Sequence, residues 1–386
     1  MLNTLHQRDP LEIGDRLRTA RSRSGLTQED ASQKLKMART TLVAIEKGQR
    51  RVRADELRRL ADLYNVSVNA LLRDSAVHAD LVPRFRALSH TNESAALEAA
   101  QMLNDLVAAE VELEQRVGLL LKTNYPQEYR IQSGDIRTQA EDVALEMRHR
   151  LGISISPVVN VVSLLELQVG MRVFIRRLNS SISGLFAYDE ELGACMLLNR
   201  NHPRERRALS ALHEFGHLVS ARKAPDMVDL KHDPQSREDR FASCFAISFM
   251  MPAVAVRGKF QEMHQESGRF SPRHLILLAH YFNVSEEAMC RRLEELGLIL
   301  NGMWDSLRDR GFSGKLVRQV MGEQEEQDEV VMPPRLWLLA AEAYHRALFD
   351  EGQIAQMLCM NRIEVRTMLD TLDVEGNDDQ QSTPSR

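Results

Sequence analysis

Cysteine is scarce in this 386-residue chain: Cys195, Cys244, Cys290 and Cys359 lie far apart, with no C-x-x-C pair. That spacing excludes a disulfide framework and a thiolate zinc ribbon, and leaves free, buried thiols as the expectation. Aromatic residues make up only 5%, and long apolar runs are missing. The longest, Ala246 to Val256, is broken by Pro252 and is too short to span a bilayer. The opening MLNTLHQRDP is polar, with no secretory apolar stretch, so a cytoplasmic protein with no membrane partner is expected. The hydrophobic fraction of 43% still suffices for real cores, and the length suggests two or three domains.

The net charge of −5 is unevenly spread. Residues 1–75 hold 15 Lys and Arg against 10 Asp and Glu, a balance of +5, so the remaining 311 residues carry −10. A basic head on an acidic body points to nucleic-acid binding by the head alone.

That head reads as a helical bundle. Leu11 to Ser22 predicts a helix with Leu11, Ile13, Leu17 and Ala20 inward, ended by Gly25. Thr27 followed by Asp30 is close to a capping box, and Ala31 and Leu35 share one face of the next helix. After a break at Lys36 and Met37, a second short helix runs from about Ala38 to Glu46, with Leu42 and Ile45 inward and Gly48 closing it. Further helices are expected at Ala54 to Tyr64 and Val68 to Leu72. Two short helices so spaced and so flanked have the geometry that lays a recognition helix in the major groove.

Residues 11–73, with LTQEDASQKL and TTLVAIEKGQRRV, resemble the helix-turn-helix domain of the phage-repressor and Cro (XRE) family. The resemblance implies double-stranded operator DNA as a partner. It puts Gln28 on a phosphate or base, Arg39, Thr40 and Thr41 at base edges, and Ala44 near the groove floor. Lys47 and Arg50 would neutralise phosphates.

Beyond Asp74 the pattern changes. Asn92 to Leu121 is a long helical run with Leu103, Leu106, Leu113, Val117 and Leu120 at heptad-like spacing, interrupted by Glu110. It fits a dimerising helix, hence a homodimer, and equally a helix lying on the next domain. Tyr125 to Gly134 reads as a linker, and Asp135 to Leu151 as a helix. Strands are expected at Arg172 to Arg176, Ser183 to Tyr188 and Ala194 to Leu198, with DEELG turning between the last two, as a small antiparallel sheet.

The sheet runs into SALHEFGHLV, on a helix spanning Arg204 to Arg222. His213 and His217 are four apart, so both imidazoles leave one face about one turn apart and could chelate one ion. Glu214 is turned about 100° away, where it would miss the ion yet reach a water beside it. H-E-x-x-H is the zincin arrangement, with Zn2+ as the cofactor and the carboxylate as general base. Leu209, Leu212, Gly216 and Leu218 make the helix apolar, where two histidines and a glutamate left unsatisfied would be costly.

A third ligand is still needed. SREDRFASCFAISFMMP, Ser236 to Pro252, reads as a helix with Phe241, Phe245 and Phe249 in one stripe, and here the chain resembles the ImmA/IrrE metallopeptidase family. Counting back from Pro252, the family's ligand glutamate falls on Asp239, a shorter acid, with Glu238 as the rival and His232 an outside candidate. The resemblance runs on through Ser271 to Ile299, where His280 or Tyr281 would supply the oxyanion donor that zincins require.

Glu351 to Leu372 has the shape of a second helix-turn-helix pair, with Ile354, Ala355, Leu358, Val365 and Leu369 inward, but few basic residues, so it suggests protein contact. The expected fold is mainly α, α+β overall. Residues 1–75 form the helix-turn-helix bundle, 76–134 a helical linker and 135–300 a zincin-like domain. Residues 301–372 form a helical C-terminal region, and 373–386 a disordered tail. What the resemblance implies is a DNA-binding transcriptional regulator with a zinc-dependent endopeptidase that cuts a repressor or antitoxin-like protein. Its substrate is expected to add as a β-strand beside Ala194 to Leu198. The alternative is a transcription factor whose zincin fold senses a ligand or peptide without catalysis. A general degradative protease has no use for a sequence-specific DNA head.

Overall fold

The computed structural model of the protein describes residues 10–64, 68, 71, 93–222, 226–229, 236–267, 270–312 and 332–376. The chain divides into two compact units, Met1–Val77 and His78–Arg386.

The first unit is helical: α1 Pro10–Arg23, α2 Gln28–Leu35, α3 Arg39–Glu46 and α4 Ala54–Leu63. Thr27 and Asp30 form a full capping box at the start of α2, and Lys36, at φ 51°, takes the left-handed position that ends it. Ile13, Leu17, Ala20, Ala31, Leu35, Leu42, Ile45, Leu57 and Leu60 make the core. Leu11, expected inward, is 57% exposed instead. Helices α1 and α3 touch closely at Gly14, where a Cβ would fall 2.5 Å from the Ile45 carbonyl oxygen. Beneath them Arg21 donates to both oxygens of the buried Glu46, at 2.6 and 3.1 Å.

The second unit centres on a sheet of β1 Arg172–Arg176, β2 Ile182–Asp189, β3 Gly193–Asn199 and β4 Asp226–Asp229, in the order β1-β3-β2-β4. The three expected strands are present, but the sheet is mixed: β1 runs parallel to β3, which pairs antiparallel with β2, and β2 with β4. The chain inserts β3 between β1 and β2. Asn199, at the end of β3, is fully buried, donates to the Asn179 and Ile182 carbonyls and accepts from the Leu178 amide, pinning the β1–β2 connection. Because β3 is interior, with both sides already paired, no substrate strand can add beside Ala194 to Leu198. The four-residue β4 was not foreseen, being too short for a period-2 signal.

Around the sheet lie α5 Glu93–Val117, α6 Ile136–Arg150, α7 Val161–Leu164, α8 Arg204–Ser220, α9 Arg237–Met250, α10 Ala253–Ser267, α11 Pro272–Tyr281, α12 Glu286–Glu295, α13 Met303–Asp309, α14 Pro334–His345, α15 Glu351–Met357 and α16 Arg362–Gly376. Leu103, Leu106, Leu113 and Val117 are buried against the sheet and α14, so α5 lies on its own unit, and its seam offers no dimer surface. Leu120 falls past the helix and is 68% exposed. Glu110 breaks the seam because it is paired: Arg172 and Arg335 reach it at 3.0 and 2.5 Å, and both also reach Glu114 at 2.6 Å.

The C-terminal pair α15 and α16 buries Ile354, Ala355, Leu358, Val365 and Leu369 as expected. Residues 373–376 of the expected tail continue α16, while 377–386 lie outside the described residues. Cys195 and Cys290 are buried, Cys244 is half-buried and Cys359, against expectation, is exposed. Among the described residues no single helix is long and apolar enough to cross a membrane.

Candidate metal centre

Helix α8 leaves the sheet after Pro203 and lays Ala211, Leu212, Phe215 and Leu218 into the core. Its partner is α9, whose first turn is capped by Ser236 Oγ accepting from the Asp239 amide at 3.0 Å. The two helices are held by Phe215 set edge-on to Phe245 and Phe249, with ring centroids 5.5 and 5.9 Å apart. They approach so closely because Gly216 has no side chain; a Cβ there would sit 2.8 Å from Ala242 Cα. A glycine inside the histidine motif thus lets the helix bearing Asp239 come near.

The result is a cluster in which His213, His217 and Asp239 each offer one ligand atom, all within 4.8 Å of one another. His213 Nε2 and His217 Nε2 face each other at 3.1 Å, and His217 Nε2 is 3.6 Å from Asp239 Oδ1. Two nitrogens held about 2.0–2.1 Å from one tetrahedral ion lie about 3.3 Å apart, a value those separations bracket. The donor set of two imidazoles and a carboxylate therefore fits a single zinc-sized ion. Ser243 Oγ, one turn beyond Asp239, lies 3.3 Å from His213 Nδ1, where accepting the Nδ1 proton leaves Nε2 as the ligand.

Glu214 has 0% exposure. A Cβ on Gly184 would come within 3.1 Å of its Oε1, so glycine at this point of β2 makes room for the carboxylate. Glu238 is exposed and stays outside the cluster, since one helical step turns it away. His232 lies outside the described residues. His280 and Tyr281 are exposed at the end of α11, with Lys259 Nζ 5.1 Å from the Tyr281 ring centre, a placement that lends no support to an oxyanion role.

Residues 167–294 match the IrrE N-terminal-like domain, of the metallopeptidase type, and residues 12–73 match a helix-turn-helix domain. The chain joins a helix-turn-helix domain to an IrrE-like domain. The metal cluster falls wholly within the IrrE-like match. Over 62 residues, 16% of this chain, it is 39% identical to the HTH-type transcriptional regulator ImmR of Bacillus subtilis (strain 168), and spans about half of that relative's length, 49%. A crystal structure of ComR from Streptococcus suis aligns over 97% of both chains at 11% identity with a TM-score of 0.16, too low to inform the fold.

In the helix-turn-helix domain the expected DNA-facing residues fall into two groups. Arg39, Thr40 and Lys47 are exposed on α3 and just beyond it, with Thr41 and Ala44 half-buried beside them. Gln28 and Arg50 are engaged within the domain: Gln28 Nε2 donates to Glu46 at 2.8 Å, and Arg50 makes a two-pronged pair with Glu56 at 3.1 and 2.9 Å. A phosphate contact by either has to compete with that partner. The residues missed from sequence are Ser243, Gly184 and Gly216. Gly216 is visible inside the motif, but its role and those of the other two exist only once α8 meets α9 and β2.

Proposed function

We propose that this protein is a DNA-binding transcriptional regulator whose IrrE-like domain is a zinc-dependent endopeptidase that cuts a repressor or antitoxin-like protein and thereby changes transcription. The observation that carries the reading is the convergence of His213, His217 and Asp239 from two helices beside a buried glutamate. These three would hold zinc, with a fourth position left for a reacting group. When bound, the ion supplies Lewis acidity and a more acidic water. Glu214 takes the proton released as water attacks the peptide carbonyl and returns it to the leaving amine. Ser243 keeps the His213 ring in its ligating orientation. An extended substrate would add at the outer strand β4, which pairs with β2 at Gly184, the residue against Glu214.

The alternative, a regulator whose zincin fold senses a ligand or peptide without turnover, draws on the complete burial of Glu214, which suits a wall residue as well as a base. Glu214→Gln separates the two. For a peptidase, zinc content should persist while cleavage slows by roughly two orders of magnitude or more, leaving the regulated promoter locked uninduced. The checks are an immunoblot for the partner and promoter output in cells. Normal induction, with the candidate partner uncut in both wild type and variant, would favour the sensor.

A further inference from the structure

The C-terminal pair α15 and α16 repeats the geometry of α2 and α3 position by position. The N-caps Asp350 and Asn361, with Cys359 left-handed between them at φ 52°, stand at the same spacing as the N-caps Thr27 and Ala38 around Lys36 at φ 51°. Every buried position of the first pair, Ala31, Ser32, Leu35, Leu42, Ile45 and Glu46, has a buried counterpart at Ile354, Ala355, Leu358, Val365, Met368 and Leu369. The pair is thus a second helix-turn-helix, with α16 in the place of the recognition helix. Its chemistry differs at the positions that would meet DNA. Where the first pair has Gln28 and Lys47, the second has Glu351 and Asp370, so a phosphate backbone would meet like charge.

What α16 exposes instead is a face that complements itself. Arg362, Ile363, Arg366, Thr367 and Asp370 are exposed along one side of the helix, opposite the buried Val365, Met368 and Leu369. Ile363 is 78% exposed, an apolar residue in the place of Thr40. Arg362 lies over Gly352 in the first turn of α15, where a Cβ would fall 2.5 Å from its guanidinium. Arg366 is held by Glu351 at 3.0 to 3.3 Å, and Asp370 acts on it at longer range. Neither Arg362 nor Asp370 makes a hydrogen bond or ion pair among the described residues. Asp350 and Glu351 of α15 add two acids beside this face, so it is no basic patch. It has a positive end and a negative end about 12 Å apart along the helix, and the same face turned end for end matches both.

We propose that α16 is the contact of a homodimer in which two copies of the chain cross antiparallel about a two-fold axis, Arg362 of each against Asp370 of the other, with Ile363 covered beside that contact. Such an interface is isologous, so each pairing occurs twice. Arg366 falls nearest the axis, where its pair with Glu351 offsets its charge. With the seam of α5 covered by its own unit, this face takes over the role of dimer contact. A two-fold dimer carries two DNA-binding heads, as a symmetric operator requires. None of these residues belongs to the metal cluster, so the proposal stands whether or not the domain is a peptidase.

Sedimentation equilibrium on the full chain tests this. The wild type should show a monomer–dimer equilibrium with a midpoint below about 100 µM. Arg362→Asp and Asp370→Arg should each weaken the dimer by about tenfold or more, because each sets like charges together twice, and the double reversal Arg362→Asp with Asp370→Arg should restore it. Ile363→Asp, at a solvent-facing position of the monomer, should weaken it similarly. Circular dichroism confirms that the variants stay folded. A chain that remains monomeric at 100 µM, a dimer unchanged in Arg362→Asp and Ile363→Asp, or a folded double reversal that stays monomeric overturns the proposal. So does a gel shift in which Arg362→Asp flattens the salt dependence of operator binding with dimerisation unchanged, since α16 then meets DNA.

Discussion

Gly216 sits between the two histidines of the site helix with no room for a methyl group, because Ala242 of the facing helix is already there. Gly216→Ala should therefore push α8 from α9, lowering stability by about 1–3 kcal/mol and weakening metal affinity, since Asp239 moves with α9. Urea unfolding and a competitive chelator titration measure the two effects, and a change in neither would remove Gly216 from the account. His213, Glu214 and His217 were legible in the sequence because helical periodicity alone puts two imidazoles on one face. Asp239 against Glu238 needed the cap at Ser236, which fixes which acid of the first turn faces the histidines. Ser243 and Gly184 were not legible, because each acts only across a tertiary contact.

At the scale of elements, the heptad-like spacing of Leu103, Leu106, Leu113 and Val117 on α5 suits a dimer partner and the adjoining domain equally. Only the sheet and α14 show which one covers them. Strand positions were legible as short runs set off by a turn at DEELG, without alternation since β1 and β3 are buried throughout, whereas the parallel pairing of β1 with β3 was not, since strand order depends on which connection the chain pins down. The turn of π-helix Leu165–Val169, next to α7, holds a group that gives the fold a pH dependence. Glu166 is 2% exposed and accepts from the Arg335 amide at 2.8 Å, and burial pushes its pKa from 4.5 up to about 7. The folded state thus holds this proton more tightly than the unfolded one. The resulting stability is fully present below about pH 4.5 and is lost as pH rises through about 7. Relative to Glu166→Gln, the wild type should lose up to roughly 3 kcal/mol between those limits. Urea midpoints at pH 5 and pH 8 check this, and parallel curves would refute it.

For the whole molecule, the uneven charge already separated a basic unit from an acidic one, and the structure divides the chain at about the same place, after Val77. If DNA binding belongs to the first unit and metal binding to the second, each should be separable by substitution in the full chain. Lys47→Ala should weaken binding to all sequences alike and reduce the slope of log affinity against log salt by about 1, while Arg39→Ala should relax preference at one base position. Gel shifts at several salt concentrations distinguish these, and identical behaviour of the two variants would contradict the assigned roles. His213→Ala should leave the operator affinity unchanged. Whether His213, His217 and Asp239 form a zinc site is decided by the metal content of the purified protein. Wild type and Glu214→Gln should carry about one zinc per chain, and His213→Ala and Asp239→Ala little or none. An undiminished zinc content in His213→Ala would contradict the account.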